Sequence, residues 1–343
     1  MLDLKNWHKY QHLFVPPANR PCIAGISGGG TSGMMAALLS TSVLMSFQNT
    51  GKEHKRTYEF LEALADAIGR EIVWLEYRPP ATHGAPPAAG RFAIVTPTTA
   101  DKSGGPFEMM MAAINAYRTA IGKGPIAPWW RSRICTTYMK TRLARRYVES
   151  LGWAGHDEFV GLRADEPDRV AKLRVGVPKR IGRHAPLSAA GVTVDDVAVF
   201  WDAQSFNLGL PAHLGNCTGC FLKDQSDQSR ALDQNGDVDY WAGMQERYPG
   251  FGGNSHPGYR QLAAEAPIRY AIEAALAAGR TPENETGMDP RRYRLVVIQE
   301  RKRLAGQLAP FSCSCEGSDA LSQMDDEEEN AYIASLPSED EAA

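Results

Sequence analysis

Residues 22–33 read C-I-A-G-I-S-G-G-G-T-S-G, and in this stretch an apolar run passes directly into glycines and hydroxyl side chains. The apolar run predicts a buried strand at 22–27, and the residues that follow predict a helix beginning at 32–39. A glycine-rich turn between a strand and a helix frees backbone N–H groups at a helix N-terminus, where anions bind. The stretch therefore predicts a phosphate-binding loop in an α/β fold.

The same alternation continues along the chain. Further strands are predicted at 43–47, 71–77 and 158–162, and further helices at 58–68, 107–121, 137–151 and 193–201. Strands that alternate with helices are typical of a parallel sheet covered by helices. We therefore expect an α/β protein with a mostly parallel sheet of five or six strands flanked by helices, followed by a helical C-terminal part.

Changes in composition divide the chain into three regions. We predict an α/β domain at 1–225 that includes a loop insertion, rich in Pro, Gly, Ala and Thr, at 78–106. A helical region is predicted at 226–312. The remaining segment, 313–343, contains two cysteines, has ten acidic residues from position 316 onward and has neither Lys nor Arg there, which predicts a largely disordered acidic tail.

The formal net charge of −3 conceals a basic body. Without the ten acids of the tail, 37 Lys and Arg are set against 30 Asp and Glu, so the rest of the chain carries +7. A basic body suits an anionic ligand, either a nucleotide or a nucleic acid. An ordinary Arg-rich surface is the alternative explanation.

The sequence also indicates a compartment. It has no run of about 18 apolar residues, which predicts no membrane span. Residues 1–5, M-L-D-L-K, lack the basic and apolar regions of a signal peptide, so we expect a cytoplasmic protein. In that reducing compartment, six cysteines in 343 residues favour a metal site or catalysis over a disulfide framework.

Three kinds of phosphate loop can be compared with residues 25–33. A P-loop ends in Gly-Lys-Ser or Gly-Lys-Thr, and this segment contains no Lys. The dinucleotide fingerprint matches Gly28, Gly30 and Gly33, but the second strand ends in N-T-G where an acid is required, and Glu53 falls past the turn. The loop of ATP pyrophosphatases, S-G-G-x-D/T-S, matches residues 27–32 as S-G-G-G-T-S. We favour this third interpretation, with a ligand-free glycine turn as the alternative.

Four further segments carry a family resemblance. They read F-Q-N-T-G-K-E at 47–53, I-C-T-T-Y-M-K at 134–140, G-L-R-A-D-E-P at 161–167 and G-N-C-T-G-C-F-L-K at 215–223. With the loop at 27–32, they resemble in order the motifs of the phosphoadenylyl-sulfate (PAPS) reductase family, within the adenine-nucleotide alpha-hydrolase fold. The resemblance covers about residues 22–225. It extends to members found in phages and mobile elements and to the ATPase component of DNA phosphorothioation systems.

The resemblance implies a site for ATP or an adenosine sulfonucleotide. The residues implied to bind the nucleotide are Ser27, Gly28, Gly29, Gly30, Thr31, Ser32, Asn49, Thr50, Gly51, Glu53, Gly161 and Arg163. The predicted catalytic residues are Lys140, Arg163 and Asp165.

Charge gives several of these side chains a chemical role. Basic residues would neutralise the polyphosphate, and the candidates are Lys140 and Arg163, with Lys52 and Arg169 as further cations. The acids of the D-E pair at 165–166 would hold Mg²⁺ together with the phosphates. A buried salt bridge for Arg163 and a surface turn for the two acids are the alternatives.

Cysteines are the predicted metal ligands. The set is Cys135, Cys217, Cys220 and Cys315. Thiolates bind iron–sulfur clusters and zinc, and C-x-x-C spacing places two sulfurs on one side of a tight turn. Family members with a cluster carry a Cys-Cys pair before their C-x-x-C, whereas this chain has Cys135-Thr136. The resemblance therefore implies a [4Fe–4S] cluster that is closed by Cys313 or Cys315 or keeps one open iron, with a structural zinc as the alternative.

One family motif is absent. A reductase of this family attacks its substrate with a cysteine in a C-terminal E-C-G-[IL]-H segment, and the nearest match, S-C-S-C-E-G at 312–317, has no following His. We therefore expect an enzyme that cleaves ATP at the α–β phosphate bond and serves sulfur transfer or nucleic-acid modification. A PAPS reductase that releases sulfite is the second hypothesis. A non-catalytic DNA- or protein-binding partner that needs ATP and the cluster is the third.

A basic stretch suggests a macromolecular partner. Five arginines lie close together in the sequence, next to Trp129-Trp130, at positions 131, 133, 142, 145 and 146. Basic residues mixed with aromatics are typical of contacts to single-stranded DNA or tRNA, and a solvated basic face is the alternative. The family resemblance further implies a sulfur donor or a thioredoxin-like protein as partner, and a homodimer is a further expectation.

Overall fold

The structure is a computed structural model of the 343-residue chain. It describes residues 2–17, 20–129, 132–174, 177–215, 217–253 and 256–306, together with 331, 334 and 335. The described residues form two compact units. The first contains those within Met1–Pro125 and Arg133–Leu210, and the second contains those within Ile126–Ser132 and Pro211–Cys313.

The first unit is built on a six-stranded sheet. Its strands are β1 (Cys22–Gly25), β2 (Val43–Asn49), β3 (Val73–Arg78), β4 (Arg91–Val95), β5 (His156–Phe159) and β6 (Ile181–His184). They are ordered β4-β3-β2-β1-β5-β6, and every neighbouring pair is parallel except β3–β4. The prediction of an α/β fold with a mostly parallel sheet of five or six strands is confirmed.

Helices follow most of these strands. They are α1 (Gly30–Leu38), α2 (Lys55–Ile68), α3 (Gly105–Ala120), α4 (Ile134–Thr136), α5 (Arg142–Ser150), α6 (Pro167–Lys172), α7 (Pro186–Ala189) and α8 (Val194–Asp202). A π-helical segment, Thr137–Thr141, joins α4 to α5, and short 3-10 helices lie at His8–Phe14 and Pro87–Ala89.

The sheet is buried on both faces. Met45, Phe47 and Trp74 point to one face and pack in a core with α1, α2 and α8. Because side chains alternate along a strand, Leu75 and Tyr77 point to the other face, where α3 and α5 contact the strands. A sheet covered on both sides explains the near-continuous apolar runs in its central strands.

Two strands were not predicted, and both lie at sheet edges. The segment 78–106, predicted to be a loop, contains β4, which pairs antiparallel with β3. β6 reads I-G-R-H and pairs with β5. Edge strands have one neighbour and partly exposed side chains, so they need no apolar run and leave a weak sequence pattern.

The second unit is helical. It contains a 3-10 helix at Ala212–Leu214 and four longer helices, α9 (Gln225–Asn235), α10 (Val238–Arg247), α11 (Tyr259–Ala277) and α12 (Pro290–Leu304). This confirms the helical C-terminal part. The division at Pro211, compared with the predicted boundary after residue 225, places Cys217 and Cys220 in the helical unit. None of the helices that the structure describes is long and apolar enough to cross a bilayer.

Buried ion pairs join the helices of this unit. Glu300 of α12 is fully buried and accepts hydrogen bonds from Arg230 of α9 at 2.8 Å and from Arg269 of α11 at 3.0 Å. Arg269 also donates to Glu265 at 2.8 Å. Each of these charges is taken out of water, so each depends on its partners for compensation.

We expect Glu300→Ala to lower the free energy of unfolding by about 3–5 kcal/mol, because it leaves two buried arginines without their shared carboxylate. Urea titration followed by circular dichroism measures the loss. The exposed Glu283→Ala is the matched control and should change stability by less than about 0.5 kcal/mol. A loss in Glu300→Ala as small as that of the control would contradict this account.

Candidate functional site

Three predicted segments lie at one edge of the sheet. Residues 27–32 follow β1, 49–53 follow β2 and 161–163 follow β5, and these three strands are parallel neighbours. The chain crosses from β1 to β2 on one side, whereas β5 lies on the other side of β1. Open α/β sheets bind ligands outside the carboxyl ends of their strands at such a reversal of strand order.

The loop after β1 is closed by one hydroxyl. Ser32 Oγ accepts a hydrogen bond from the Ser27 N–H at 3.2 Å, donates to the Gly29 carbonyl at 3.1 Å and lies 3.0 Å from Ser27 Oγ. Trp201 Nε1 donates to the Gly30 carbonyl at 2.8 Å. The loop's side chains and carbonyls are therefore used to hold its shape.

The backbone N–H groups of residues 28–32 do not take part in these hydrogen bonds. Among the described residues, the backbone N–H groups of residues 28–32 have no hydrogen-bond acceptor. The last three of them belong to the first turn of α1, whose amides have no partner within the helix. Several N–H groups at one helix N-terminus form a site for phosphate oxygens.

Two glycines make this loop geometry possible. Gly28 has φ +78°, and a Cβ there would lie 2.4 Å from Thr57 Cγ2 on α2. Gly161, after β5, passes so close to the loop that a Cβ would lie 3.4 Å from Ser32 Cα. A side chain at Gly28 would push the loop away from α2, whereas a Cβ at Gly161 would lie in van der Waals contact with the loop.

Arg163 connects the loop to the turn after β5. Its guanidinium donates to Thr31 Oγ1 at 3.2 Å and binds both carboxylate oxygens of Asp165 at 3.0 and 3.2 Å. Burial alone would raise the pKa of Asp165, but its bonds to Arg163 outweigh this and the pKa is lowered. Glu166 is paired with Arg163 and Arg169. The two acids predicted to hold Mg²⁺ are thus both in ion pairs with arginines.

The turn after β2 is held by a network of side-chain hydrogen bonds. Asn49 donates through its amide to Glu76 at 2.8 Å and accepts from the Gly51 N–H at 3.0 Å. Thr50 donates to one oxygen of Glu53 at 2.6 Å, and the hydroxyl of Tyr58 donates to the other at 3.0 Å. Since Asn49, Thr50 and Glu53 are all buried, these predicted site residues support the site's shape.

An open cleft of about 600 Å³ lies on the α5 side of the sheet. Gly25 at the end of β1, Gln48 of β2 and Val160 after β5 line it, and Lys140 lies on the opposing wall. Lys140 belongs to the π-helical segment, a distortion that is often found at functional sites. The cleft therefore brings a predicted catalytic lysine to the start of the phosphate loop.

An ion pair forms part of the cleft's lining. Glu158 accepts from Arg183 Nε at 2.6 Å and pairs with His156 at 3.2 Å. Burial would raise the pKa of Glu158, but the bonds from His156 and Arg183 outweigh this effect and the pKa is lowered. The carboxylate therefore stays charged and compensates Arg183.

The basic helix does not form one exposed basic face. Arg142 is buried with 4% of its surface exposed, Arg145 is paired with Glu149 at 2.8 Å, and Arg146 is half-buried. These three residues therefore do not form the solvated basic face that was the alternative interpretation of the sequence. Arg131 and Trp130 lie outside the described residues.

The C-x-x-C segment of the second unit is a turn that hydrogen bonds hold in place. The Lys223 ammonium, 3% exposed, donates to the Cys217 carbonyl at 2.9 Å, and Tyr259 donates to the Gly219 carbonyl at 2.8 Å. A Cβ on Gly219 would lie within 2.4–2.5 Å of the Trp241 ring, so only glycine fits against it. Both cysteines are half-buried and neither is in a disulfide, so their sulfurs are chemically able to serve as a ligand pair.

The other cysteines are distributed differently. Cys135 is half-buried, is not in a disulfide and belongs to the first unit, and Cys313 and Cys315 lie outside the described residues. Cys22 is buried, and burial with the nearby carboxylates raises its pKa to about 12, so it is an inert core thiol. Within the described ranges, no three His, Cys, Asp or Glu side chains come together as a metal site.

Some residues at the loop were not predicted. Trp201 binds the Gly30 carbonyl and packs against Gly33, and Tyr58 bonds to the 49–53 turn. In the sequence, Trp201 and Tyr58 fit the apolar spacing of their helices and give no sign that their polar atoms reach a loop. Trp201 is 171 residues away from its partner, Gly30, in the sequence.

No family model matches this chain. An uncharacterized nin region protein, ORF290, from Escherichia phage lambda is 25% identical over 208 residues, which are 59% of this chain. The matched part is 66% of the phage protein, just under two thirds of its length. The description of the phage protein names no activity. The reaction must therefore be inferred from the site.

We expect Gly28→Ala to destabilise the protein more than Gly152→Ala does. Both glycines have positive φ, +78° and +76°, but only at position 28 would the new methyl meet another side chain. The difference should be about 1–3 kcal/mol in the free energy of unfolding, measured by urea titration. Equal losses would mean that the loop is not held against α2 as described.

Proposed function

We propose that this protein binds ATP at residues 27–32 and cleaves it between the α and β phosphates, as its resemblance to the PAPS reductase family implies. The observation that carries the proposal is the row of loop amides without acceptors at the reversal of strand order. The absence of a Lys from the loop and of an acid at the end of β2 argues against a P-loop or a dinucleotide site.

The chain's own residues can perform the binding. The N–H groups of residues 28–32 would donate hydrogen bonds to phosphate oxygens, and Arg163, already bonded to Thr31, would add a guanidinium to the same oxygens. Lys140 on the cleft wall would balance further charge. Asp165 and Glu166 are the residues that would hold Mg²⁺ together with the phosphates, and Arg163, no longer paired with these carboxylates, would then be available to the nucleotide.

The reaction then needs only positioning and charge compensation. An acceptor oxygen forms a bond to the α-phosphorus, the bond to the bridging oxygen breaks, and pyrophosphate leaves with that electron pair. The acceptor is left adenylylated, and a sulfur nucleophile can displace AMP from it. Fixed N–H donors and Arg163 stabilise the charge that develops on the phosphate oxygens.

We further propose that Cys217 and Cys220 are two ligands of an iron–sulfur cluster, to which Cys135 and Cys315 contribute. The hydrogen-bonded turn and the C-x-x-C spacing of two half-buried cysteines fit such a group. When bound, the cluster would supply the sulfur or electrons for the transfer. Zinc fits the same thiolates as a structural alternative.

We expect Arg163→Gln to lower the affinity for ATP by about tenfold or more, since a charge-assisted contact to phosphate is lost. Calorimetric titration with α,β-methylene-ATP, whose α–β bond cannot be hydrolysed, measures binding without turnover. Radiolabelled ATP then shows whether AMP and pyrophosphate form. Arg145→Gln, which breaks a surface pair outside the loop, is the matched control.

Two results would contradict this proposal. One is ATP binding that Arg163→Gln leaves unchanged. The other is sulfite release from PAPS in the presence of thioredoxin without pyrophosphate release from ATP, which would establish the reductase instead. Tight ATP binding with no turnover in the presence of a nucleic acid would favour the non-catalytic partner.

We expect about four irons per chain, with acid-labile sulfide, after anaerobic purification. The irons should be lost in Cys135→Ala and Cys217→Ala and retained in Cys22→Ala, whose thiol is buried in the first strand. Cys315→Ala shows whether the tail supplies a ligand. Zinc, or no metal, would contradict the cluster and leave the ATP proposal standing.

A further inference from the structure

A second, smaller cavity lies under the same basic helix. It lies between α5, the end of β3 and the segment before β4, and its empty space is about 220 Å³, including the part that is open to solvent. Its polar lining consists of Tyr77, Arg91, Tyr138, Arg142 and Arg146. Three of these lie four residues apart along the π-helical segment and α5, on a stripe that is distinct from Lys140 and Ala144 in the large cleft.

Two buried hydroxyls in this cavity lack hydrogen-bond partners. Tyr77 is 2% exposed and Tyr138 is 3% exposed, and within the described chain neither hydroxyl has a donor or an acceptor in range. A buried hydroxyl that stays unsatisfied destabilises the folded protein, so two of them lining one cavity indicate a ligand with an acceptor atom.

The charge of the lining selects an anion. Three arginines and no Asp or Glu line the cavity. Burial raises the pKa of both tyrosines, more than the arginines lower it, so both hydroxyls keep their protons and act as donors. Donors and positive charge without an acid are the lining that oxyanion sites have.

The small volume of the cavity limits how much of the anion can lie inside it. The interior has room for about one oxygen-sized atom. The exposed Arg91 and the half-buried Arg146 also belong to the lining and can reach the remaining oxygens of a larger ion. This arrangement fits one oxygen of a tetrahedral ion between the two hydroxyls.

We propose that Tyr77, Tyr138, Arg142 and Arg146 form a site for a tetrahedral oxyanion, either a free phosphate or sulfate ion or the terminal phosphate of a nucleic-acid strand. The site is separate from the loop at 27–32 and does not depend on the proposed function. It gives an inward-facing role to arginines that the sequence associates with nucleic acid.

The test is thermal unfolding in increasing sodium phosphate or sulfate, with sodium chloride added to hold ionic strength constant. We expect the Tm of the wild type to rise, because a ligand that binds the folded state stabilises it. Tyr77→Phe and Tyr138→Phe should each weaken the apparent affinity by about tenfold or more, since each removes a hydrogen bond to a charged group. Both variants keep the ring and should fold, because the hydroxyl they lose has no hydrogen-bond partner among the described residues.

Two controls locate the ion. Tyr147→Phe, on the same helix but packed against Phe92 outside the cavity, should respond to phosphate as the wild type does. Arg163→Gln, which alters the loop at 27–32, should keep the part of the response that Tyr138→Phe removes. A response lost in Arg163→Gln and kept in Tyr138→Phe would place the ion at the loop and overturn the proposal.

The same variants distinguish the sources of the oxyanion. Short single strands with and without a 5′-phosphate are compared with the free ions. Stronger, Tyr138-dependent stabilisation by the phosphorylated strand identifies a strand terminus, and equal or weaker stabilisation identifies the free ion. The proposal is overturned if neither phosphate nor sulfate raises the Tm, if chloride alone raises it equally, or if the two Phe variants respond as the wild type does.

Discussion

The Ser32 hydroxyl holds together the segment on which the candidate site depends. By bonding to Ser27 and Gly29 it folds residues 27–32 into a turn in which the Gly29 and Gly30 carbonyls accept hydrogen bonds, while the amides of residues 28–32 have no acceptor among the described residues. The neighbouring segments then approach this turn: Gly161 lies against its backbone, and Arg163 bonds to Thr31. The positions of the segments after β1 and β5 therefore depend on this closed turn, because both segments contact it.

Side chains of the π-helical segment and α5 line two cavities. The π-helical segment rotates the positions after it relative to a regular α-helix, and Lys140 lies in the large cleft while Tyr138 and Arg142 lie in the small one. Basic side chains thus line both cavities while Arg145 pairs with Glu149 at the surface. The excess of positive charge in the body of the chain is partly an internal feature.

The sequence predicts the central strands and the loop well because burial on both faces requires continuous apolar runs. It misses β4 and β6, since edge strands such as R-F-A-I-V and I-G-R-H are short and partly exposed. It identifies Asn49, Glu53 and Asp165 as polar site residues, but their partners Glu76, Tyr58 and Arg163 emerge only when the chain is folded. Periodicity in one chain does not encode which polar atoms meet across more than a hundred residues, as Trp201 and Gly30 do.

The position of β1 in the middle of the sheet has a consequence for how the chain acquires its structure. β1 is complete by residue 25, yet one of its two neighbours, β5, begins at residue 156. The contact between Thr31 and Arg163 spans 132 positions. During synthesis, the N-terminal strands must therefore wait, with one side of β1 unpaired, until this distant segment leaves the ribosome. Such long-range pairing slows folding, and it makes assembly of the loop one of the last steps in maturation of the first unit.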